Sequence, residues 1–361
     1  MQRLRTVARH LSPTPCDERA RAVPAPSYDE AAPGGRARAR ARAAPAAAAE
    51  PLQPSGVDAG VVPEADRATF ERDGCIVLHE FLGPERLAAV RAAVEAGIAA
   101  EGERSGWEQA AHFANKQDWG PHLRRLCNLF VKGQCFVDLA TEPLLLAYAQ
   151  LSMATPTSPF HLQVFNAHDP LLGSPGGAIH SDRQLFDGSR GHFTVIWALD
   201  DMCGAFVPPP CASADDVPLA VAHRTEANGA SRVIPASHRG GWPLLGSMRD
   251  DDAVGVGLPA IDVGDPAAPV EGEVICVCKA GSCVLVHGDC WHGQRDNTTD
   301  GGRLALHMAY ASTPDTRPTY EVRGALEATA AGRATLAELE RRGLAQLVPP
   351  NDPSWDWDKP Q

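Results

Sequence analysis

Several things are scarce in this 361-residue sequence, and each scarcity closes off a class of function. No run of about 18 apolar residues occurs, so no segment is expected to span a bilayer. The N-terminus lacks the short apolar stretch of a secretory signal. Basic charge is also short: 33 Lys and Arg face 45 Asp and Glu, a formal net charge of -12. A nucleic-acid surface needs clustered Lys and Arg to neutralise phosphates, so the expected partner is a small molecule. The 10 cysteines are scattered rather than framework-spaced and read as reduced thiols. The expected location is therefore intracellular, either cytoplasmic or organellar. Asn297-Thr298-Thr299 matches a glycosylation acceptor only formally and, without secretion, reads as a turn.

Composition divides the chain into three parts. Residues 1–60 carry Arg-Ala repeats, an alanine run and several prolines, and are expected to be a disordered or targeting extension. Arg3, Arg5 and Arg9 precede the first acid, as in an organellar transit peptide, whereas Asp17, Glu18, Asp29 and Glu30 favour a plain solvated tail. Residues 61–325 form the expected catalytic domain. It opens with a short helix ending near Asp73-Gly74, then a β-rich run from Cys75 to Leu78, then a helix from Pro84. Leu87, Val90, Val94 and Ile98 share one face of that helix and read as core. Beyond Phe160, short β-branched runs between turn residues, including Phe193–Trp197, Val274–Cys278 and Cys283–Val286, predict strands of a sandwich or barrel. Residues 203–224, rich in Pro, Ala and Asp, read as a long loop between core strands, either a substrate wall or a neutral insertion. Residues 326–361 form a C-terminal extension. Leu336, Leu339, Leu344 and Leu347 are expected on a helix ended by Pro349-Pro350, and Trp355 and Trp357 are expected to dock back.

The chemistry concentrates in Ile179-His180-Ser181-Asp182, where an i, i+2 spacing on an extended segment points an imidazole and a carboxylate the same way. His292 follows far downstream, at the end of a strongly β-like run. Two neutral imidazoles and one carboxylate on one face of an octahedral ion leave three positions open, which suits iron(II) oxygen chemistry. His287-Gly288-Asp289 repeats the spacing beside His292, but a local site there leaves His180 and Asp182 unexplained, so His287 is expected to pack or to support a ligand. Asn297–Gly302 reads as a hairpin tip, which would put Arg303 on the strand next to His292. Its guanidinium is then either a clamp for the far carboxylate of a metal-chelating dicarboxylate or a surface group at a hairpin base. His307 could lie across that hairpin as a partner to the ligands. Zinc at Cys276, Cys278, Cys283 and Cys290 is a poor fit, because alternating cysteines in an apolar strand usually pack.

His180-x-Asp182, Asn228-Gly229 leading to Val233-Ile234-Pro235-Ala236-Ser237-His238, and Gly281 through His292 to Arg303 together resemble the phytanoyl-CoA dioxygenase family. So does the opening Phe70–Gly74 with its strand and helix, and the resemblance covers roughly residues 62–315. It implies a mainly β, α+β fold: a double-stranded β-helix, or cupin-like jelly roll, with flanking helices. It implies that His180, Asp182 and His292 ligate iron(II), that Arg303 binds 2-oxoglutarate, and that Trp197 and Thr194 correspond to positions that lie near this cosubstrate in some members, with packing in the core as the alternative for each. The implied function is an iron(II)- and 2-oxoglutarate-dependent dioxygenase that uses O2 to hydroxylate a small organic or lipid-derived substrate, releasing succinate and CO2. Asp182 stands where a halogenating relative has a small residue, which favours hydroxylation. The alternatives are desaturation, epimerisation or cyclisation by the same iron chemistry, or a catalytically silent metal-binding jelly roll. The family's Pro-Gly-Ser-His reads Pro235-Ala236-Ser237-His238 here, a change expected to alter only a turn.

Overall fold

The computed structural model describes residues 57–102, 123–153, 155, 157–174, 176–182, 191–202, 228–240, 269–312 and 318–350. The 203–224 segment, Trp355 and Trp357, and nearly all of the N-terminal extension lie outside the described residues.

Helix α1, Glu64–Asp73, starts with acids in its first turn and stops at Gly74, whose φ of 72° is the left-handed cap that glycine adopts without strain. Strand β1, Cys75–Leu78, follows at once. Helix α2, Pro84–Glu101, begins with proline at its first turn as expected, and buries Val90 and Val94. Strand β2 is Leu123–Leu126, and helices α3, Gln134–Ala140, and α4, Pro143–Leu151, complete the helical entrance. Eight strands then form the body: β3 Phe160–Pro170, β4 Gly177–His180, β5 His192–Ala198, β6 Ser231–Val233, β7 Val274–Ile275, β8 Cys283–His287, β9 His292–Gln294 and β10 Ala305–Ser312.

These strands make two antiparallel sheets, one ordered β1-β8-β5-β10-β3-β2 and the other β4-β9-β6-β7. Successive strands from β3 cross between the sheets, except that β6 and β7 pair within one. That crossing pattern is a jelly roll. The layer between the sheets is small and apolar, with Ile196 and Ala198 of β5, Val284 and Val286 of β8, Ala305 of β10 and Val233 of β6. Cys75, Cys276, Cys278 and Cys290 pack in the same layer, while Cys283 packs on the opposite face of the larger sheet. That opposite face carries a second, larger core under α2, α3 and α4, which includes Phe165, Phe193, Trp197, Leu306 and Tyr310.

Two expectations about length are corrected. The run Val274–Cys278 is strand only at Val274–Ile275, with Cys278 joined to Met202 by an isolated bridge. The C-terminal helix does not reach Leu347: α5, Val322–Glu327, precedes α6, Ala330–Arg341, and Gly343 at φ 68° ends the helical path. Leu336, Leu339, Leu344 and Leu347 are nevertheless all buried in the helix-covered core, so this part of the expected extension packs on the sheet. No helix among the described residues is long and apolar enough to cross a membrane.

Candidate active site

His180 ends β4 and His292 opens β9, and the two are paired in register across these neighbouring strands. Their rings lie 4.7 Å apart between centroids. The expected continuous strand through Asp182 stops at His180, yet Asp182 still turns the same way. Its Oδ1 is 3.4 Å from His180 Nε2 and its Oδ2 is 3.4 Å from His292 Nε2. One atom from each residue lies within 4.8 Å of the others, the spacing of a group that could hold one metal ion. Ligands about 2.1 Å from an octahedral ion sit about 3 Å from their cis neighbours, so the separation fits after a small contraction. The neighbouring His287-Gly288-Asp289 joins no such group among the described residues.

Asp182 and His292 are held from behind. The Nδ1–H of His292 donates to the Cys290 carbonyl at 3.0 Å, which leaves Nε2 with its lone pair toward Asp182. Thr194 on β5 donates its hydroxyl hydrogen to Asp182 Oδ2. Between the ligands, Ser181 Oγ donates to the Gly288 carbonyl at 2.9 Å, tying the end of β4 to the turn before β9. The Pro235–His238 motif supplies a further tie, because Ser237 Oγ accepts from Trp291 N at 2.8 Å, one residue before His292. Its Ala236 sits at φ 63°, a left-handed conformation that costs an L-residue energy and that glycine takes freely. The departure from Pro-Gly-Ser-His is therefore a strained turn beside the site.

Electrostatics agree with a cation site. Burial opposes charge on Asp182, but His292, His180 and His192 together hold its carboxyl well below the usual range. Burial lowers His292 despite the opposing pull of Asp182, so its imidazole stays neutral and able to donate a lone pair. His192, at the start of β5, places Nδ1 3.7 Å from Asp182 Oδ2 and is lowered by burial as well. His192 carries no sequence motif. Its signal was parity, since it lies two residues before Thr194 and so shares a face of the strand.

Arg303 differs from expectation in an instructive way. The segment Asn297–Gly302 is no hairpin: β9 belongs to the smaller sheet and β10 to the larger, so the chain crosses the barrel between them. The crossing is knitted by Asn297, whose Nδ2 donates to the carbonyls of Pro170 and Gly301, both at 2.8 Å. Arg303 is fully buried rather than a surface group, and burial lowers its guanidinium to about 10. Its Nη2 donates to Gln294 Oε1 at 3.0 Å, whereas Nε and Nη1 have no hydrogen-bond partner among the described residues. Two unmet buried donors cost about 1–3 kcal/mol each, more on a charged group; they lie on different edges of the guanidinium, and a carboxylate at the Nη1–Nη2 edge would meet Nη1 together with the second Nη2 hydrogen. Gly229 adjoins the guanidinium, and its φ of 80° is a left-handed conformation that glycine takes freely, with the Arg295 carbonyl 3.1 Å from where a Cβ would stand. The Asn228-Gly229 motif and Gln294 were thus the signals for this end of the pocket.

The remaining expectations separate by face. Trp197 does not approach the site: it faces the helix-covered core against Phe81, 5.8 Å between ring centroids. Strand alternation puts it opposite Thr194, three residues away, so both could not line one pocket. His287 likewise turns outward, 6.3 Å from Phe70 and 5.3 Å from His238 between ring centroids, and packs rather than supporting the triad. His307 is on β10 but not across a hairpin from His292. Its neighbours are Ile196 of β5 and Asn166 of β3. Ile196 belongs to the layer between the sheets, so His307 faces the barrel interior.

A jelly roll with two imidazoles and a carboxylate gathered at one end of its interior defines a class, the non-haem iron oxygenases. Residues 70–305 match the family profile of phytanoyl-CoA dioxygenase (PhyH), and the chain belongs to that family. It is a non-haem iron- and 2-oxoglutarate-dependent dioxygenase, with O2 as the oxidant. Among curated relatives it is similar to the dioxygenase trt7 of Aspergillus terreus, 24% identical over 251 residues, covering 69% of this chain and 73% of that protein. It is also similar to the ectoine dioxygenase of Nocardia farcinica, 24% identical over 280 residues, covering 72% and 85% respectively. Among solved structures, the non-haem α-ketoglutarate-dependent carbocyclase SnoK from nogalamycin biosynthesis is 17% identical with a TM-score of 0.48, covering 70% of this chain and 85% of that one.

Proposed function

We propose that His180, Asp182 and His292 are the protein ligands of the iron, that Arg303 holds the far carboxylate of 2-oxoglutarate, and that the enzyme hydroxylates a small organic or lipid-derived molecule. The observation that carries this reading is the pairing of a two-histidine, one-carboxylate group, buried at Asp182 and His292 and half-buried at His180, with a buried arginine that has two unmet donors. When bound, iron with 2-oxoglutarate and O2 supplies the oxidising power, and 2-oxoglutarate leaves as succinate and CO2. The chain's own part is placement. Thr194 and the Cys290 carbonyl fix the directions of Asp182 and His292. Gln294 sets the guanidinium of Arg303, and the apolar layer of Ile196, Val233 and Val284 keeps water out beneath. Residues 61–325 serve as the catalytic domain in this reading. Buried free thiols such as Cys75, Cys276 and Cys290 support a reducing, intracellular location.

The test is an anaerobic titration of the iron-loaded protein with 2-oxoglutarate, read by the chelate absorption band, followed by succinate release with candidate substrates. H180A, D182A and H292A are each expected to lose the band and to lower succinate release by more than about 100-fold, beyond what loss of an outer partner costs. R303A is expected to keep its iron but bind 2-oxoglutarate at least about 30-fold more weakly, the scale of a truncated buried charge pair. Full activity in any ligand variant sinks the triad, and unchanged 2-oxoglutarate affinity in R303A removes the clamp.

A further inference from the structure

Two half-buried histidines beyond the triad, His307 and His168, have no part in the account above. His307 pairs with Ile196 and Asn166, and His168 of β3 pairs with Ala305, which itself pairs with Ala198. Ile196, Ala198 and Ala305 all lie in the layer between the sheets, so both imidazoles point into the barrel. Their rings stack, 4.5 Å between centroids at 30°. Nε2 of each is buried and has no hydrogen-bond partner among the described residues. A purely packing role would be served better by leucine, because each unmet imidazole nitrogen is a cost with no return.

Position gives the pair a use. On β10, His307 lies between Ala309, which pairs with Thr194 beside the triad, and Arg303 just before the strand. That position on β10 puts His307 between the two ends of the proposed cosubstrate pocket, and the charges of Arg303, His292, Asp182 and Arg125 all act on it. Arg125, opposite His168 on β2, adds a second buried guanidinium to the same region. Burial and the nearby arginines keep both rings uncharged, His307 being lowered to about 3. A neutral imidazole carries one N–H donor, and with Nε2 as the protonated nitrogen that donor is the unmet one.

We propose that His307, backed by the stacked ring of His168, binds the far carboxylate of 2-oxoglutarate together with Arg303, its Nε2–H donating a hydrogen bond to that carboxylate. This rests on the clamp reading of Arg303 and deepens it. Arg303 supplies charge, and His307 supplies a neutral donor that helps distinguish a 2-oxo dicarboxylate from a 2-oxo monocarboxylate.

The experiment uses the full chain loaded with nickel(II), so that no turnover intervenes, and measures binding of 2-oxoglutarate and of 2-oxobutyrate by calorimetry. 2-Oxobutyrate keeps the chelating end and lacks the far carboxylate. H307L is expected to weaken 2-oxoglutarate by at least about tenfold, the loss of one hydrogen bond to a charged group, while 2-oxobutyrate changes less than about twofold. H307Q, whose amide reaches the place of Nε2, should restore most of the affinity, and H307N, whose amide falls short, should not. That polar pair decides the matter even where H307L does not fold. Unchanged 2-oxoglutarate binding in H307N and H307L beside weakened binding in R303A overturns this inference and leaves the arginine clamp standing. Unchanged binding in all three, R303A included, overturns both. Equal weakening of the two ligands puts the imidazole at the metal end and also overturns the proposal.

Discussion

The larger sheet buries both of its faces, but with different chemistry on each. Toward the helices it presents Phe193, Trp197, Leu306 and Tyr310. These are large apolar groups in aromatic contact, such as Tyr148 stacked on Phe193 with 6.5 Å between centroids. Toward the smaller sheet the same strands present His192, Thr194, His307 and His168, separated by small apolar residues. Burying an aromatic side chain stabilises the fold by about 1.5–3 kcal/mol, whereas burying an imidazole or hydroxyl gains nothing unless a partner meets it. The outer face therefore supplies stability and the inner face spends some of it on polar groups: Thr194 meets Asp182, while Nε2 of His307 and of His168 meets no hydrogen-bond partner among the described residues. A single strand such as β5 serves both purposes because its side chains alternate.

Substitutions on the two faces should separate stability from ligand binding. The largest effect is expected outside: W197A should destabilise by about 3–5 kcal/mol in urea unfolding, with the 2-oxoglutarate affinity of the remaining folded protein unchanged. A loss of affinity without loss of stability would put Trp197 back at the cosubstrate. Next, on the inner face of the same strand, T194V should lower iron affinity by about 10–100-fold while moving stability little, since it removes the hydroxyl that orients Asp182. Iron retention equal to wild type after dialysis would show that Asp182 needs no such partner.

A third effect is read with pH. The folded pKa of His307 lies at about 3, below the unfolded value near 6.5. In that window the unfolded chain takes up a proton that the folded chain refuses, so stability falls as pH falls from about 6.5 toward 3. One such group contributes a slope of up to about 1.4 kcal/mol per pH unit, and His168, His192 and His292 are shifted in the same direction. H307L should flatten the slope measured by urea unfolding between pH 6 and 4, and an identical slope would mean that His307 is already protonated in the fold. The smallest effect belongs to the strained turn that ties both layers to His292: A236G should stabilise by up to about 1 kcal/mol, relieving a φ of 63°. A decrease in stability would mean that the turn carries no strain.

Much of this site was legible in the residues, for identifiable reasons. The helix from Pro84 and the strands at Cys75, Phe193 and Cys283 follow from local propensity and period, which act over a few residues. His180-x-Asp182 was legible because both residues belong to one short segment. Type and spacing left Arg303 open between a clamp and a surface group, because turn chemistry in Asn297–Gly302 says that the chain reverses and not which sheet receives it. Trp197 stood open between the core and the cosubstrate for a related reason. Alternation already separated Trp197 from Thr194, yet nothing local says which of the two faces meets a helix and which meets the other sheet. His192, His168 and Gln294 carried no motif at all and gained meaning only from what stands opposite them.

By itself the sequence determined the chemistry on offer: two imidazoles, a carboxylate and a guanidinium in a family order, on strands whose period is fixed by backbone geometry. Tertiary structure alone decided the convergence. Pairing β4 with β9 brings His180 to His292, and sending β10 to the other sheet buries Arg303 instead of exposing it. The physical reason is that propensity and alternation are local, whereas burial, and with it every unmet donor and shifted pKa in the barrel, depends on which distant strand lies across the interior.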